Sequence, residues 1–194
     1  NASVTEDVLW LTDRMKDWEI AGYEPAKGAE YFIGKRLQLG ELQSAYASFM
    51  IALSDYVRFI EQDYYAKKMD AGKKQLAGQR SYLNLVEREH TLTEKEMELA
   101  QSMYDRDSIL YARNAMIVAE FEESGCRYLQ SLRTRETSGM SLLQAEMQLK
   151  QQEENLLDLG KQAYDEEQNR RLELKNAIEQ LQAQLSSWAQ NYLF

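Results

Sequence analysis

Residues 104–125 read YDRDSILYARNAMIVAEFEESG and join two long stretches of helix-forming residues. The segment has no proline, and its first glycine is Gly125, so the usual turn residues are missing where the chain must reverse. Asn114 can supply the turn, because asparagine tolerates the left-handed conformation that ends many helices. We therefore predict a short turn at residues 114–118.

The stretch after this turn predicts one long helix. Residues 119–192 contain no proline and only three glycines. Their apolar residues recur every seven residues at first, and in steps of four and three near the end of the chain. This is the repeat of a coiled-coil seam, which keeps one face of a helix against a partner helix. The seam residues are Leu142, Leu149, Leu156 and Ala163, followed by Leu174, Ile178, Leu181, Leu185, Trp188 and Tyr192.

The stretch before the turn has the same repeat, with an expected interruption. The pattern weakens around Gly72 and Gly78, each of which costs a helix about 1 kcal/mol relative to alanine. Thr93 and Glu96 then form a capping-box pattern, which can begin a new helix. We therefore predict a break near residues 90–92. The seam residues that precede it are Leu42, Tyr46, Phe49, Leu53, Tyr56 and Ile60.

The lengths of the two stretches predict how they pack. Residues 41–113 and 119–192 are nearly equal in number, so a reversal between them lays the two seams side by side. The predicted fold is all-α: a long antiparallel coiled-coil hairpin over residues 41–194, whose first arm is broken into two helices. Residues 1–40 precede it as a short N-terminal helix and an irregular connecting segment, because Pro25 and four glycines interrupt the helical pattern there.

Charge and composition exclude several classes of function. A formal net charge of −9 without a basic run argues against nucleic-acid binding, which needs clustered Lys and Arg. It also disfavours a curved membrane-binding module of the BAR type, which needs a basic concave face. No apolar run approaches the roughly 20 residues of a transmembrane helix. The single cysteine, Cys126, excludes an intramolecular disulfide and a multi-thiolate metal site.

The sequence contains no pattern that predicts catalysis. Glu87 and His90 form a Glu-x-x-His motif, but di-iron bundles use two such motifs, and His90 is the only histidine. We interpret His90 as an exposed residue at a helix end. A Gly-rich phosphate loop and a nucleophile elbow are both missing. We therefore expect no enzyme activity, no catalytic residues, no cofactor and no bound metal.

Apolar residues concentrate at the predicted turn. Met116, Ile117 and Val118 follow one another there, and two helices cannot cover all three. An exposed apolar cluster more often marks a contact surface than a solvated loop. The alternative is that these residues fold back and join the two helix ends, although such a hydrophobic staple uses only one or two of them.

The residues around the turn resemble a known family. Arg106, Leu110 and position 117 reproduce the R-x3-L-x6-S spacing at the hairpin tip of the HlyD-type membrane fusion proteins, which are periplasmic adaptors, with Ile117 in place of the serine. SILYARNAMIVAEFEES is similar to the family's L-Y-x-x-G-x-I-S-x-E-E-Y-E segment, with Asn114 at the usual glycine and Phe121 at the tyrosine. The segments LGELQSAYASFMIALSDY and NLLDLGKQAYDEEQNRRLELKNAIEQLQAQLSSWAQNYLF are also similar to adaptor sequences.

The resemblance implies a function and a location. Adaptors of this family are anchored in the inner membrane, and their hairpins cross the periplasm to meet a TolC-like outer-membrane channel, typically with several adaptors forming a tube. It implies an inner-membrane transporter as a second partner, self-association in the full-length protein, and no small-molecule substrate in this fragment. On this interpretation the chain is the periplasmic part of a longer protein, and its membrane anchor lies outside it.

The resemblance also implies a docking site. It assigns partner binding to Arg106, Leu110, Asn114, Met116 and Ile117. Because Ile117 replaces the family serine, either the partner channel has a complementary apolar site or docking differs from the family pattern. The alternative function is a coiled-coil scaffold or tether without a role in transport, which fits the composition equally well.

Overall fold

The computed structural model describes residues 2–193 and confirms the all-α prediction. No strand occurs in this range, and none of its helices is both long and apolar enough to cross a membrane. The chain divides into two compact units: a terminal unit, residues 1–67 with 159–194, and a central unit, residues 68–158. The helices are α1 (Ala2–Ile20), α2 (Pro25–Phe32), α3 (Gln43–Gln62), α4 (Tyr64–Ala112) and α5 (Val118–Tyr192), with a single 3-10 turn at Gly40–Leu42.

The terminal unit packs around one tryptophan. Trp18 on α1 is fully buried, and its indole lies edge-on to Phe32 and Phe49, with ring centroids 5.6 and 5.8 Å away. Its Nε1 donates a hydrogen bond to the carbonyl oxygen of Glu24 at 2.8 Å. The indole therefore connects α1 to α2 and α3 through both apolar and polar contacts.

The region between residues 20 and 40 is less irregular than the sequence predicts. Pro25 begins the eight-residue helix α2, where proline's fixed φ suits a first helical turn. Gly28 lies inside this helix, and a Cβ built on it would come within 2.6 Å of the Trp18 indole. The glycine that suggested a loop is thus a packing position, because only a missing side chain leaves room for Trp18.

The two predicted seams of the terminal unit are confirmed except at their ends. Five of the six residues in the first seam and five of the final six on α5 are buried, and they join one core cluster. Ile60 and Tyr192 are instead exposed, and the prediction was wrong for them. Each lies in the last turn of its helix, at the end of its seam.

The first arm is broken, but not where the sequence predicts. α4 runs without interruption through residues 90–92, and the break lies at Asp63, which has a left-handed backbone with φ of 47°. Thr93 caps no helix; its hydroxyl donates to the His90 carbonyl oxygen within α4 at 2.8 Å. Aspartate is one of the few residues that adopt the left-handed conformation at modest cost, so the break needs no glycine.

The central unit is an antiparallel pair of helices joined by a short turn. Asn114 is left-handed, with φ of 58°, as predicted. The amide of Ala115 bonds the carbonyl oxygen of Leu110 at 2.9 Å, and the amide of Asn114 bonds that of Tyr111 at 3.0 Å. These two bonds form a Schellman motif, which satisfies the last carbonyl groups of a helix. The turn occupies residues 113–117, one residue earlier than predicted.

The seam of the central unit continues where the apolar pattern weakens. On both helices, buried or half-buried residues follow one another in steps of three and four, as a coiled coil requires, but several of them are polar. The α4 residues are Met69, Gly72, Leu76, Gln79, Leu83, Val86, His90, Thr93, Met97, Ala100, Tyr104 and Asp107. The α5 residues are Ser124, Tyr128, Ser131, Arg135, Ser138, Leu142, Ala145, Leu149, Gln152 and Leu156.

Polar partners across the seam explain why α4 does not break at residues 90–92. His90 Nδ1 lies 2.7 Å from Ser138 Oγ, and Thr93 Oγ1 lies 2.7 Å from the same oxygen. His90 Nε2 is also 3.3 Å from a carboxylate oxygen of Glu94. His90 is therefore a half-buried seam residue in the middle of α4, and the interpretation of it as an exposed residue at a helix end is wrong.

Candidate functional site

The structure places the five predicted docking residues at and beside the turn of the central unit. Arg106 and Leu110 lie four residues apart on the last turns of α4, so they share one helix face. The Arg106 side chain is 64% exposed, whereas Leu110 is half-buried. Asn114 forms the turn itself and is exposed.

For the apolar residues of the turn, the sequence left two alternatives: an exposed contact surface, or a staple that joins the two helix ends. Different residues follow each of them. Met116 is half-buried, as a residue joining the helix ends would be. Ile117 is 64% exposed, and Val118 and Ile109 are also exposed. The turn therefore presents an apolar surface beside a cationic side chain, which is a combination that suits a protein contact.

Four aromatic rings stack into a column behind this surface. Tyr111 and Phe121 are parallel within 2° at 4.8 Å between centroids, and Tyr104 lies 5.5 Å from Phe121. Tyr128 extends the column at 5.4 Å from Tyr104. The rings alternate between α4 and α5, so the column couples the two helix ends. Each helix spaces its two rings seven residues apart, a signal that sequence reasoning did not use.

Two buried polar residues follow two of these rings along the helices: Asp107 comes three residues after Tyr104 on α4, and Ser124 comes three residues after Phe121 on α5. Asp107 is 5% exposed and Ser124 is 3% exposed. The hydrogen bond from Ser124 lowers the pKa of the Asp107 carboxyl from its usual range; burial opposes the shift, and hydrogen bonds and charge from Arg106 add to it. Asp107 is therefore ionised at neutral pH. Sequence reasoning missed the pair, because it counted only apolar residues toward the seam.

Gly125 of α5 lies next to the Tyr104 ring of the aromatic column. A Cβ built on Gly125 would lie 3.5 Å from a ring carbon of Tyr104, which is ordinary contact distance. An alanine would therefore fit at this position, and the glycine is not required by the turn. The column, the polar pair and the Schellman turn together give this end of the central unit a defined geometry.

Comparison with known proteins adds no assignment. No protein-family model matches the chain, and no curated protein and no solved structure is significantly similar to it. Within residues 2–193, no three His, Cys, Asp or Glu side chains are grouped so that they could hold a metal ion. The resemblance to periplasmic adaptors thus stays a prediction, based on the residues at the turn and on the two similar segments.

Proposed function

We propose that this chain is the helical hairpin region of an HlyD-type periplasmic adaptor in a tripartite export system, and that its turn docks onto a TolC-like outer-membrane channel. The observation that carries the proposal is the surface at the turn, where Ile117 is exposed next to the left-handed Asn114. Arg106 and Leu110, the other residues of the family spacing, lie on the adjoining helix face.

The physical chemistry of this surface supports docking to a protein. Arginine and large apolar side chains are the types that act as anchors in protein interfaces. The turn is held by two backbone hydrogen bonds, and the aromatic column couples the helices that carry it. A surface ordered before binding loses less conformational entropy on binding. Ile117 stands at the position of the family serine, so the matching site on the channel would be apolar.

The proposal includes a location and two further partners. The chain would lie in the periplasm and belong to a protein anchored in the inner membrane, where an export transporter is the second partner. It would self-associate in the full-length protein. An exposed apolar patch on α5 supports such a contact: Met140, Leu143 and Met147 share one helix face and are all well exposed.

The docking proposal is tested by binding of the chain to TolC-like channels from its own organism. We expect wild-type chain, immobilised at high density so that several copies engage one channel, to capture the purified channel. The double variant Arg106→Ala, Leu110→Ala should bind at least about tenfold more weakly, because anchor residues each contribute on the order of 2 kcal/mol. Surface plasmon resonance measures the difference.

A matched control separates docking from general loss of charge and apolar area. Arg88 and Leu92 have the same spacing on α4 and are both exposed, but they lie five helical turns before the docking pair, at about 3.6 residues per turn. The double variant Arg88→Ala, Leu92→Ala should bind the channel as the wild type does. If a helical wild-type chain captures no channel, the coiled-coil scaffold or tether becomes the better interpretation.

The self-association proposal predicts an effect of the α5 patch. Replacing Met140, Leu143 and Met147 with glutamine should weaken association of the full-length protein by tenfold or more, since each buried large apolar side chain contributes about 1.5–3 kcal/mol. Sedimentation equilibrium in detergent measures this association. Unchanged association in the triple variant would assign self-association to other surfaces.

A further inference from the structure

The Asp107 carboxylate occupies a position where an apolar residue would pack. It lies on the seam of the central unit, which elsewhere on α4 buries residues such as Val86. Replacing a buried ionic group by a well-packed apolar residue is often neutral or stabilising. Stability of the helix pair is therefore a poor explanation for a carboxylate here, and its contacts indicate another role.

The contacts of Asp107 connect the interior of the seam to Arg106, which is one of the predicted docking residues. Ser124 on α5 is as deeply buried as Asp107, and a hydrogen bond from its hydroxyl lowers the pKa of the Asp107 carboxyl. From the outside, Arg106 approaches the same group, with Nε and Nη2 each 3.4 Å from Asp107 Oδ1. The Asp107 side chain is 7% exposed and that of Arg106 is 64% exposed. A buried carboxylate thus contacts a guanidinium that is otherwise largely exposed to solvent.

We propose that Asp107 is a positioning residue for docking, which holds the Arg106 guanidinium in one orientation and compensates its charge. Guanidinium has five N–H donors in a rigid fork, so donors that Asp107 does not engage stay available to a partner. Because Asp107 already compensates the guanidinium charge, a second carboxylate gains less at Arg106 than it would at an unpaired arginine. The partner group at Arg106 is therefore a neutral acceptor, such as a backbone carbonyl or a side-chain amide oxygen.

The surroundings of the pair support a fixed geometry. Tyr104 and Tyr111 lie three residues before and four residues after Asp107 on α4, and both rings stack on Phe121 of α5. Arg127 of α5 adds a weaker favourable charge to Asp107 and is itself 3.9 Å from Glu123. The helix turns on both sides of Asp107 are thus held against α5 by stacked rings, which fixes the backbone that carries the carboxylate.

A double-mutant cycle tests whether Asp107 acts on docking through Arg106. The positioning proposal rests on the proposed docking to a TolC-like channel. Asp107→Asn keeps the size of the side chain and removes its charge. We expect this variant to bind the channel about tenfold more weakly than wild type, since a neutral amide holds the guanidinium less strongly than a carboxylate does. In an Arg106→Ala background the same replacement should have almost no effect, because nothing is left to position. Equal losses in both backgrounds would overturn the proposal and leave docking itself intact.

The salt dependence of docking tests whether the partner group that binds Arg106 is uncharged. Affinity of the wild type should change little between low and high salt, because the Arg106 charge is compensated locally. A steep loss with salt in the wild type would indicate a carboxylate partner and overturn this part of the proposal.

Side-chain NMR tests the positioning without any channel. In the wild type the Arg106 Nε–H group should show restricted motion, and in Asp107→Asn it should move as freely as that of exposed Arg88. Equal mobility of Arg106 in the two proteins would overturn the positioning role, whatever the binding data show. Capture of no channel by a wild type with ordered Arg106 would instead overturn the proposed function, and the role in docking with it.

Discussion

Replacing Trp18 with alanine is expected to lower the free energy of unfolding of the terminal unit by about 3–5 kcal/mol. The side chain is fully buried, so its loss leaves a cavity beside the Phe32 and Phe49 rings, which already contact each other. It also leaves the Glu24 carbonyl oxygen without the indole N–H as donor. Hydrogen exchange of the amides in α2 and α3 measures the loss for this unit alone.

Trp10 provides the matched control for this prediction. It lies on the same helix and also contacts Phe32 edge-on, at 6.5 Å between centroids, but it is only half-buried. Trp10→Ala should therefore cost clearly less than Trp18→Ala. If the two replacements cost the same, Trp18 is not the centre of the core as described above.

Replacing Gly28 with alanine is expected to destabilise the terminal unit by about 1–3 kcal/mol, the usual cost of overpacking a core. In a helix, this replacement ordinarily stabilises by about 1 kcal/mol. The sign reverses at Gly28 because the new Cβ would lie 2.6 and 2.8 Å from two carbons of the Trp18 indole. The indole is a rigid ring held by its own contacts, so it cannot move aside cheaply. Denaturant unfolding followed by hydrogen exchange measures the change.

Gly78 offers a control with the opposite expected sign. It lies inside α4, and a Cβ built there would meet nothing within 4 Å. Gly78→Ala should therefore stabilise the central unit by up to about 1 kcal/mol. In addition, Gly28→Ala should cost little in a Trp18→Ala background, because the clashing ring is gone. An equal cost in both backgrounds would show that Gly28 is needed for another reason.

Local sequence was a sound guide to the helices and the turn. The two arms follow from a repeat of apolar residues, and the turn follows from Asn114, whose left-handed backbone ends α4 in a Schellman motif. Both features depend on residues close to one another in the chain. They could be predicted because a helix face and a helix end are decided by spacing and backbone preference alone.

The misplaced break shows where this reasoning failed. His90 and Thr93 looked like the end of one helix and the start of the next, because polar residues interrupted the apolar pattern. Across the seam, however, Ser138 hydrogen-bonds both side chains. A polar residue is acceptable in a helix seam when its partner is present, and that partner lies nearly fifty residues away in the sequence.

The candidate docking site also contains residues that local spacing predicts and a residue that only tertiary contacts reveal. Arg106, Leu110 and Ile117 could be named from their spacing, whereas Asp107 could not, because its importance depends on burial and on Ser124 from the other helix. The proposed positioning role thus belongs to Asp107, which adjoins the predicted residue Arg106 but is not part of any sequence motif.

By itself, the sequence determined that this protein is helical, that the chain reverses at Asn114, and which apolar faces are buried, since these depend on preferences within a few turns of helix. Tertiary structure alone decided which polar residues belong to the seam, why Gly28 lies in a helix, and how Asp107 meets Arg106 and Ser124. The physical reason is that the free energy of a buried polar group or a missing side chain depends on the atoms facing it. Those atoms come from another helix, so no local pattern reports them.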